Sequence, residues 1–355
     1  MSSALPFEVK GWCPGVLRPM ASGDGLLVRI RPWCGAFSLA QAEGLAEIAE
    51  NLGNGHIDLT RRANLQIRGL TEDRMPKLHD ALDRLGLLDP DAPTEAARNV
   101  MVGPLADAKV RSVAATLSRA LAADPRVASL PAKFGWLVDG GGPLSIVGER
   151  ADIALFVTQH GMALRLGGEW WSGGLVEIAV EAAFGATPDL PKVDIAPKPG
   201  CRKLGQLDGI TGVAAPFGRL EAPQLQRLVA LAGKAGASEI RLSPWRALYI
   251  DAPLEDTGLI VDDNDPLLRI DACPGAPACS SASVDTRNIA RQLANRAFPG
   301  AIHVSGCAKG CARSLPADLT LVGDGGRYGI VRNGVPHDPI ERTVDVSDID
   351  GLVHG

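Results

Sequence analysis

The chain has 355 residues, with 36 Lys and Arg against 41 Asp and Glu, so its formal net charge is −5. That balance disfavours a generic basic surface for nucleic acid. Apolar residues at 46% and charged residues at 22% exclude overall disorder, and 41 Gly with 26 Pro argue against a helical bundle. No apolar run reaches the roughly 18 residues of a membrane span. The opening MSSALPFEVKGW lacks a charged region followed by an apolar one, so no export signal and a cytoplasmic location are expected.

Two stretches of the chain align without a gap. LAEIAENLGNGHIDLTRRANLQI starts at Leu45 and LVALAGKAGASEIRLSPWRALYI at Leu228, an offset of 228 − 45 = 183. Leu45/Leu228, Ala49/Ala232, Gly53/Gly236, Ile57/Ile240 and Ile67/Ile250 coincide. Each copy reads as a helix with apolar residues at i, i+3 and i+4, a Gly stop, a strand, a polar turn and a second strand. A further strand precedes each helix, Leu26–Ile30 in the first copy and Gly212–Ala215 in the second. The unit is β-α-β-β, and two such units predict one domain with a pseudo-two-fold axis, in the manner of a ferredoxin-like fold.

Between the copies, Val110–Ala122 reads as an amphipathic helix. Phe134–Val138 and Leu144–Val147 flank Asp139-Gly-Gly-Gly-Pro143 and predict a hairpin. Strands at Ile153–Val157 and Ala163–Leu166 and a helix around Leu175–Ala183 follow. A second segment of mixed pattern closes the chain, with a hairpin at Leu319–Val322 and Tyr328–Val331 around Gly323–Gly329. The expected class is α+β, divided into a first half-domain (1–75), a first α/β segment (95–200), a second half-domain (201–255) and a second α/β segment (265–355). No strand–GxGxxG–helix unit is present, so electrons would come from a separate donor.

Four of the seven Cys fall at Cys273, Cys279, Cys307 and Cys311, as C-x5-C and C-x3-C pairs separated by residues 280–306. The spacer reads as a helix capped by Asp285, a Pro299-Gly300 stop and a strand Ala301–Ser305, and Leu267–Asp271 before it is strand-like. A β-α-β crossover brings both pairs to one edge of two parallel strands. Four thiolates suit a [4Fe–4S] cluster or a structural zinc, and C-x5-C fits zinc knuckles poorly. Gly275, Gly306 and Gly310 allow backbone N–H groups close to the sulfurs. Cys13, Cys34 and Cys201 are expected to be structural, and the six scattered His show no metal-binding spacing.

The cysteine pairs after a duplicated β-α-β-β unit resemble the sirohaem-dependent nitrite and sulfite reductase superfamily. Within it, Trp12-Cys13-Pro14-Gly15, Leu17-Arg18-Pro19-Met20 and Ser22-Gly23-Asp24-Gly25-Leu26-Leu27-Val28-Arg29-Ile30-Arg31-Pro32 resemble the precorrin-3B synthase family. The resemblance implies a [4Fe–4S] cluster on the four cysteines and an oxygen-dependent enzyme of cobalamin biosynthesis. Such an enzyme hydroxylates precorrin-3A at C20 and closes a γ-lactone, with precorrin-3A and O2 as substrates. It also implies a mononuclear non-haem iron, whose ligands no motif names. The alternatives are a compact reductase that holds sirohaem in the same pocket, and a non-catalytic tetrapyrrole carrier.

For the pocket, the resemblance assigns substrate carboxylates to Arg31, Arg62, Asn64, Gln66, Arg98 and Lys133. Arg29 joins them because strand alternation puts it on the face of Arg31. Guanidinium forks bind carboxylates bidentately and stay charged. Arg31, Arg62, Arg98 and Lys133 are therefore expected to converge on one cavity beside the cluster. The superfamily carries Arg at the position of Ala132 and a second Lys at that of Gly135. Gly135 is expected to leave that side of the pocket open for oxygen chemistry. No catalytic residue is assigned.

Overall fold

The computed structural model describes residues 11–353 except 174 and 297. By its internal contacts the chain divides into two units. One comprises residues 11–20 and 26–261; the other holds residues 21–25 and 262–353, apart from 297. Residues 95–200 and 201–255 fall in the first of these with most of the stretch before residue 75, and residues 21–25 fall with 265–353 in the other. Among the described residues no helix is long and apolar enough to cross a membrane.

In the larger unit the duplication holds to the residue in the helix and the strand that follows it. The helices Leu39–Asn51 and Ala222–Lys234 differ by 222 − 39 = 183, and the strands His56–Leu59 and Glu239–Leu242 by 239 − 56 = 183. Both helices start in a capping box, Ser38 with Gln41 and Glu221 with Gln224, which satisfies orphan N–H donors in the same way twice. Each helix buries one apolar face, Leu45, Ile48 and Ala49 in one and Leu228, Val229 and Ala232 in the other. The two helices pack on each other.

The sequence does not announce the short strands just before each helix. Ala36–Ser38 pairs antiparallel with Glu239–Leu242 of the second copy, and Arg219–Glu221 pairs antiparallel with His56–Leu59 of the first. Each copy completes the other's five-stranded sheet. The two edges that such half-sheets would expose are covered by this exchange.

One row of side chains crosses the first sheet. Arg29 lies opposite Gln66, Gln66 opposite Asp58, and Asp58 opposite Arg219. Arg29 Nε donates to Gln66 Oε1 (3.4 Å), Gln66 Nε2 to Asp58 Oδ2 (3.5 Å), and Arg219 forks onto both Asp58 oxygens at 2.8 Å. At the offset of 183 the equivalent row is Gly212, Tyr249, Arg241 and Ala36. Tyr249 is fully buried there, so the duplicated frame carries a polar row in one sheet and a largely apolar one in the other.

The first α/β segment forms a six-stranded sheet with the helices Ala108–Ala123 and Val176–Ala183 packed together. Ile153–Thr158 and Gly161–Leu166 pair antiparallel as expected. The hairpin expected at 134–147 does not form: Trp136–Asp139 is a strand, but no strand covers Leu144–Val147. Trp136–Asp139 instead runs parallel to both Val100–Val102 and Ile153–Thr158. The reason is local. Asp139 Oδ1 accepts from Gly141 N and Oδ2 from Ser145 Oγ, both at 2.8 Å, so the carboxylate turns the chain away instead of returning it alongside.

In the smaller unit Ile270–Ala272 pairs parallel with Ile302–Ser305, with the helix Arg287–Ala294 between them in sequence. This is the crossover expected from the spacer, with two shifts. Residues 266–269 form a 3-10 turn, which confines the first strand to Ile270–Ala272, and the helix N-cap is Thr286 instead of Asp285. The hairpin Ala317–Asp324 and Arg327–Gly334 extends the same sheet.

Asp58→Ala would strand the Arg219 guanidinium, only 12% exposed, inside the exchanged sheet edge. Urea unfolding should show a loss on the order of 3 kcal/mol. A change below about 0.5 kcal/mol would mean that the ion pair does not hold the exchange.

Candidate functional site

The four cysteines lie in the smaller unit, after the C-terminal ends of two of its parallel strands. Cys273 follows Ile270–Ala272 directly and Cys307 comes two residues after Ile302–Ser305. Cys273 is buried, Cys279 and Cys307 are half-buried and Cys311 is exposed as a residue. Gly306 N–H donates to Cys273 Sγ at 3.2 Å, and Thr286 Oγ1 donates to the Cys273 carbonyl. Burial pushes the Cys311 thiol up to about 11, opposed by Lys309 and reinforced by Cys273, Cys307 and Cys279. Burial also raises Cys307, with Cys273 and Cys279 adding to it. Cys273 and Cys279 thus act on both Cys307 and Cys311, so thiolates at those two positions would need a cationic centre beside them.

Two glycines of this region have no room for a side chain. A Cβ on Gly275, which has φ +70°, would stand 2.6 Å from Thr286 Oγ1, and one on Gly306 would stand 2.5 Å from Ala282 Cβ. Ser22 and Gly23, which belong to the same unit, touch this loop. Ser22 Oγ donates to Ala278 O at 2.8 Å, and a Cβ on Gly23 would lie 2.3 Å from Pro277 O. The Ser-Gly part of the N-terminal motif is therefore explained by contact with the Cys273–Cys279 loop.

Donor type and glycine placement fit a cluster held by four thiolates. Among the described residues no three His, Cys, Asp or Glu side chains, the four cysteines included, are gathered to hold a single metal ion. His160 and His337 are exposed, and His303 is fully buried in its strand.

The basic residues lie in the larger unit. Arg31, just past the strand Gly25–Ile30, is 4% exposed. Its Nη1 is 3.4 Å from Glu95 Oε1, and neither its Nε nor its Nη1 makes a hydrogen bond. The Glu95 carboxylate is held by the N–H groups of Val16 (2.5 Å) and Leu17 (3.1 Å). A Cβ on Gly15 would overlap that carboxylate, at 2.1 Å from Oε2. The Gly15–Leu17 part of the motif is thus a backbone cradle for a buried acid. Burial lowers Arg31 and raises Glu95, each opposed by the charge of the other.

Arg98 is 2% exposed and already engaged. Its Nε and Nη2 donate to the two oxygens of Asp89 at 2.8 Å, its Nη2 also donates to the Arg31 carbonyl (3.2 Å), and its guanidinium lies 4.0 Å over the Trp33 ring. Asn64 Nδ2 donates to Asn99 Oδ1 (3.1 Å), which joins the turn after His56–Leu59 to the segment carrying Arg98. Thr60 Oγ1 accepts from the N–H groups of Arg62 and Asn64 and fixes that turn. Arg62 Nη2 then reaches Lys133 O at 2.9 Å.

Arg31, Arg62, Asn64 and Arg98 with Asn99 form one linked group, and Gln66 and Arg29 form the row beside them. Lys133 enters the group through its carbonyl, and its side chain is exposed. The space above Gly135 is not open as expected. Arg62 Nη1 occupies it, 2.8 Å from where a Cβ would stand. Sequence reasoning also missed Asp89 and Glu95, the partners of Arg98 and Arg31. Their signal was indirect, a buried Arg that needs a counter-charge and a Gly that cannot be replaced.

Glu95→Ala removes both the counter-charge of Arg31 and the acceptor of two N–H groups. Urea denaturation should register a loss of about 3 kcal/mol or more. Part of it should return in Glu95→Leu combined with Arg31→Met, where no charge is left buried alone. A double variant no more stable than Glu95→Ala would rule out the ion pair as the cause.

Comparison with known proteins agrees with this architecture. Residues 18–85 match the nitrite/sulfite reductase ferredoxin-like half domain. The Mycobacterium tuberculosis NirA structure superposes with a TM-score of 0.64 over 93% of this chain and 79% of its own, at 19% identity, which shows a shared fold. Sulfite reductase [ferredoxin] 2 of Mycolicibacterium paratuberculosis is 25% identical over 88% of this chain and 72% of its own. Precorrin-3B synthase of a Sinorhizobium species is 33% identical over 92% of this chain and 83% of its own length. The chain belongs to the precorrin-3B synthase family, within the nitrite and sulfite reductase superfamily.

Proposed function

We propose that this protein converts precorrin-3A to precorrin-3B, adding one oxygen atom of O2 at C20 as a ring A acetate closes a γ-lactone. The observation that carries the reading is the 33% identity to a precorrin-3B synthase across 92% of the chain. The other oxygen atom leaves as water, which requires two electrons and two protons, the electrons coming from a separate donor. Cys273, Cys279, Cys307 and Cys311 would hold a [4Fe–4S] cluster, which when bound supplies a one-electron relay. The Gly306 N–H on Cys273 Sγ would favour the reduced, more negative form of such a group.

The chain's own residues bind and orient the macrocycle. Its substrate carries many carboxylates, and each one taken from water needs a cation or several donors. Arg62 has Nη1 buried without a hydrogen-bond partner, and Arg29 is half-buried beside Gln66. Arg31 stands behind them with its Glu95 counter-ion, and the exposed Lys133 side chain can reach a carboxylate at the rim. Arg98, committed to Asp89, serves as a positioning residue that holds the Arg31 carbonyl.

Purified protein given precorrin-3A and labelled O2 should yield a lactone product with one labelled oxygen, by mass spectrometry. Reduction of sulfite or nitrite, together with the strong visible bands of sirohaem, would overturn the reading. Binding of precorrin-3A without turnover under any reductant would leave only a carrier. For the cluster, Ser at any one of the four cysteines should bring iron and acid-labile sulfide towards zero. Ala at Cys13, Cys34 or Cys201 should leave both unchanged. Full cluster content in all four Ser variants would remove the assignment.

A further inference from the structure

We infer that Gly135 is a positioning residue, whose missing side chain sets the pose of the Arg62 guanidinium and so the place where this protein receives a carboxylate. The inference rests on the reading of Arg62 as a substrate-binding group. The backbone at Gly135 is held on both its N–H and its carbonyl. Gly135 N–H donates to Asp152 Oδ2 at 2.7 Å, and its carbonyl accepts from the N–H groups of Asp152 (2.9 Å) and Ile153 (3.3 Å). The next residue enters the strand Trp136–Asp139, which is paired on both sides. This segment has little freedom to retreat.

Nothing in the backbone angles demands glycine here. Gly135 is absent from the left-handed glycines of the chain, so any residue could adopt its conformation. What an added side chain would meet here is the Arg62 guanidinium. The Arg62 Nη1 lies 2.8 Å from an ideal Cβ at this position, and the next atoms, Arg62 Cζ and Asn99 Nδ2, lie at 3.8 Å. The Arg62 backbone is fixed as well, by the Thr60 hydroxyl and by the positive φ of Ala63 (+51°) in the same turn. With both backbones held, an added Cβ must move the guanidinium. Moving it disturbs the 2.9 Å bond from Nη2 to Lys133 O, which aims the fork. One glycine thus lets the edge of a guanidinium press against the start of a strand, with Nη1 buried and the residue as a whole half-buried.

The test is a double-mutant cycle on Gly135→Ala and Arg62→Ala. Anaerobic equilibrium titration with precorrin-3A reads binding, and a thermal melt reads the fold. Gly135→Ala should weaken binding about tenfold, as should Arg62→Ala, and the double variant should be no weaker than Arg62→Ala alone. If Gly135→Ala also lowers the melting temperature, the double variant should recover it, because the colliding side chain is gone. Additive losses in binding, or a melting temperature that stays low in the double variant, would overturn the inference. So would unchanged binding in Gly135→Ala where Arg62→Ala weakens it. Unchanged binding in Arg62→Ala would overturn the reading of Arg62 itself and the inference with it.

Discussion

A guanidinium taken out of water must meet a carboxylate, and this requirement organises the larger unit. Asp58 answers Arg219 across the exchanged strands, Asp89 answers Arg98, and Glu95 answers Arg31. The Asp58–Arg219 pair spans 161 residues of sequence and ties one copy of the repeat to the other. The Glu95–Arg31 pair draws the Gly15–Leu17 loop onto the end of a strand. Arg98 holds the Arg31 carbonyl while Glu95 faces its side chain, so both ends of Arg31 are set before any ligand arrives. Side chains already ordered lose little freedom on binding, which leaves more of the interaction for affinity.

The duplication also shows how one frame divides its labour. Positions related by 183 residues keep the same strands, helix and capping box. Their side chains diverge where chemistry is needed. Arg29, Gln66, Asp58 and Arg219 make a hydrogen-bonded row in the first sheet, and Gly212, Tyr249, Arg241 and Ala36 stand in their places in the second. Packing fixes the apolar positions of both copies alike, while the polar row is free to change in one of them.

Periodicity made most of this frame legible. The helices at 39–51 and 222–234 have strong apolar stripes and Gly stops, and the gapless repeat gave their register. The hairpin at 134–147 failed because Asp-Gly-Gly-Gly-Pro looks like a turn between strands, while the Asp139 side chain instead bonds to Gly141 and Ser145. The exchanged strands are three residues long, too short for any alternation to show. At the site, the arginines were visible by type and resemblance. Their partners were not, because Asp89 and Glu95 meet them only in the folded chain. Gly135 was noticed as an absence, and only the structure shows that Arg62 fills it.

The exchange of strands has a consequence for synthesis on the ribosome. Among the described residues the strand that pairs with Ala36–Ser38 is Glu239–Leu242, and the edge of His56–Leu59 is covered by Arg219–Glu221. At about 5–20 residues per second, roughly 10–40 s pass between the emergence of the first copy and that of the second. Throughout that interval the nascent first copy presents an open strand edge and the apolar face of its helix, the features that draw holdase chaperones or stray strands. The protein is therefore most exposed to misassembly while its first half waits for its second.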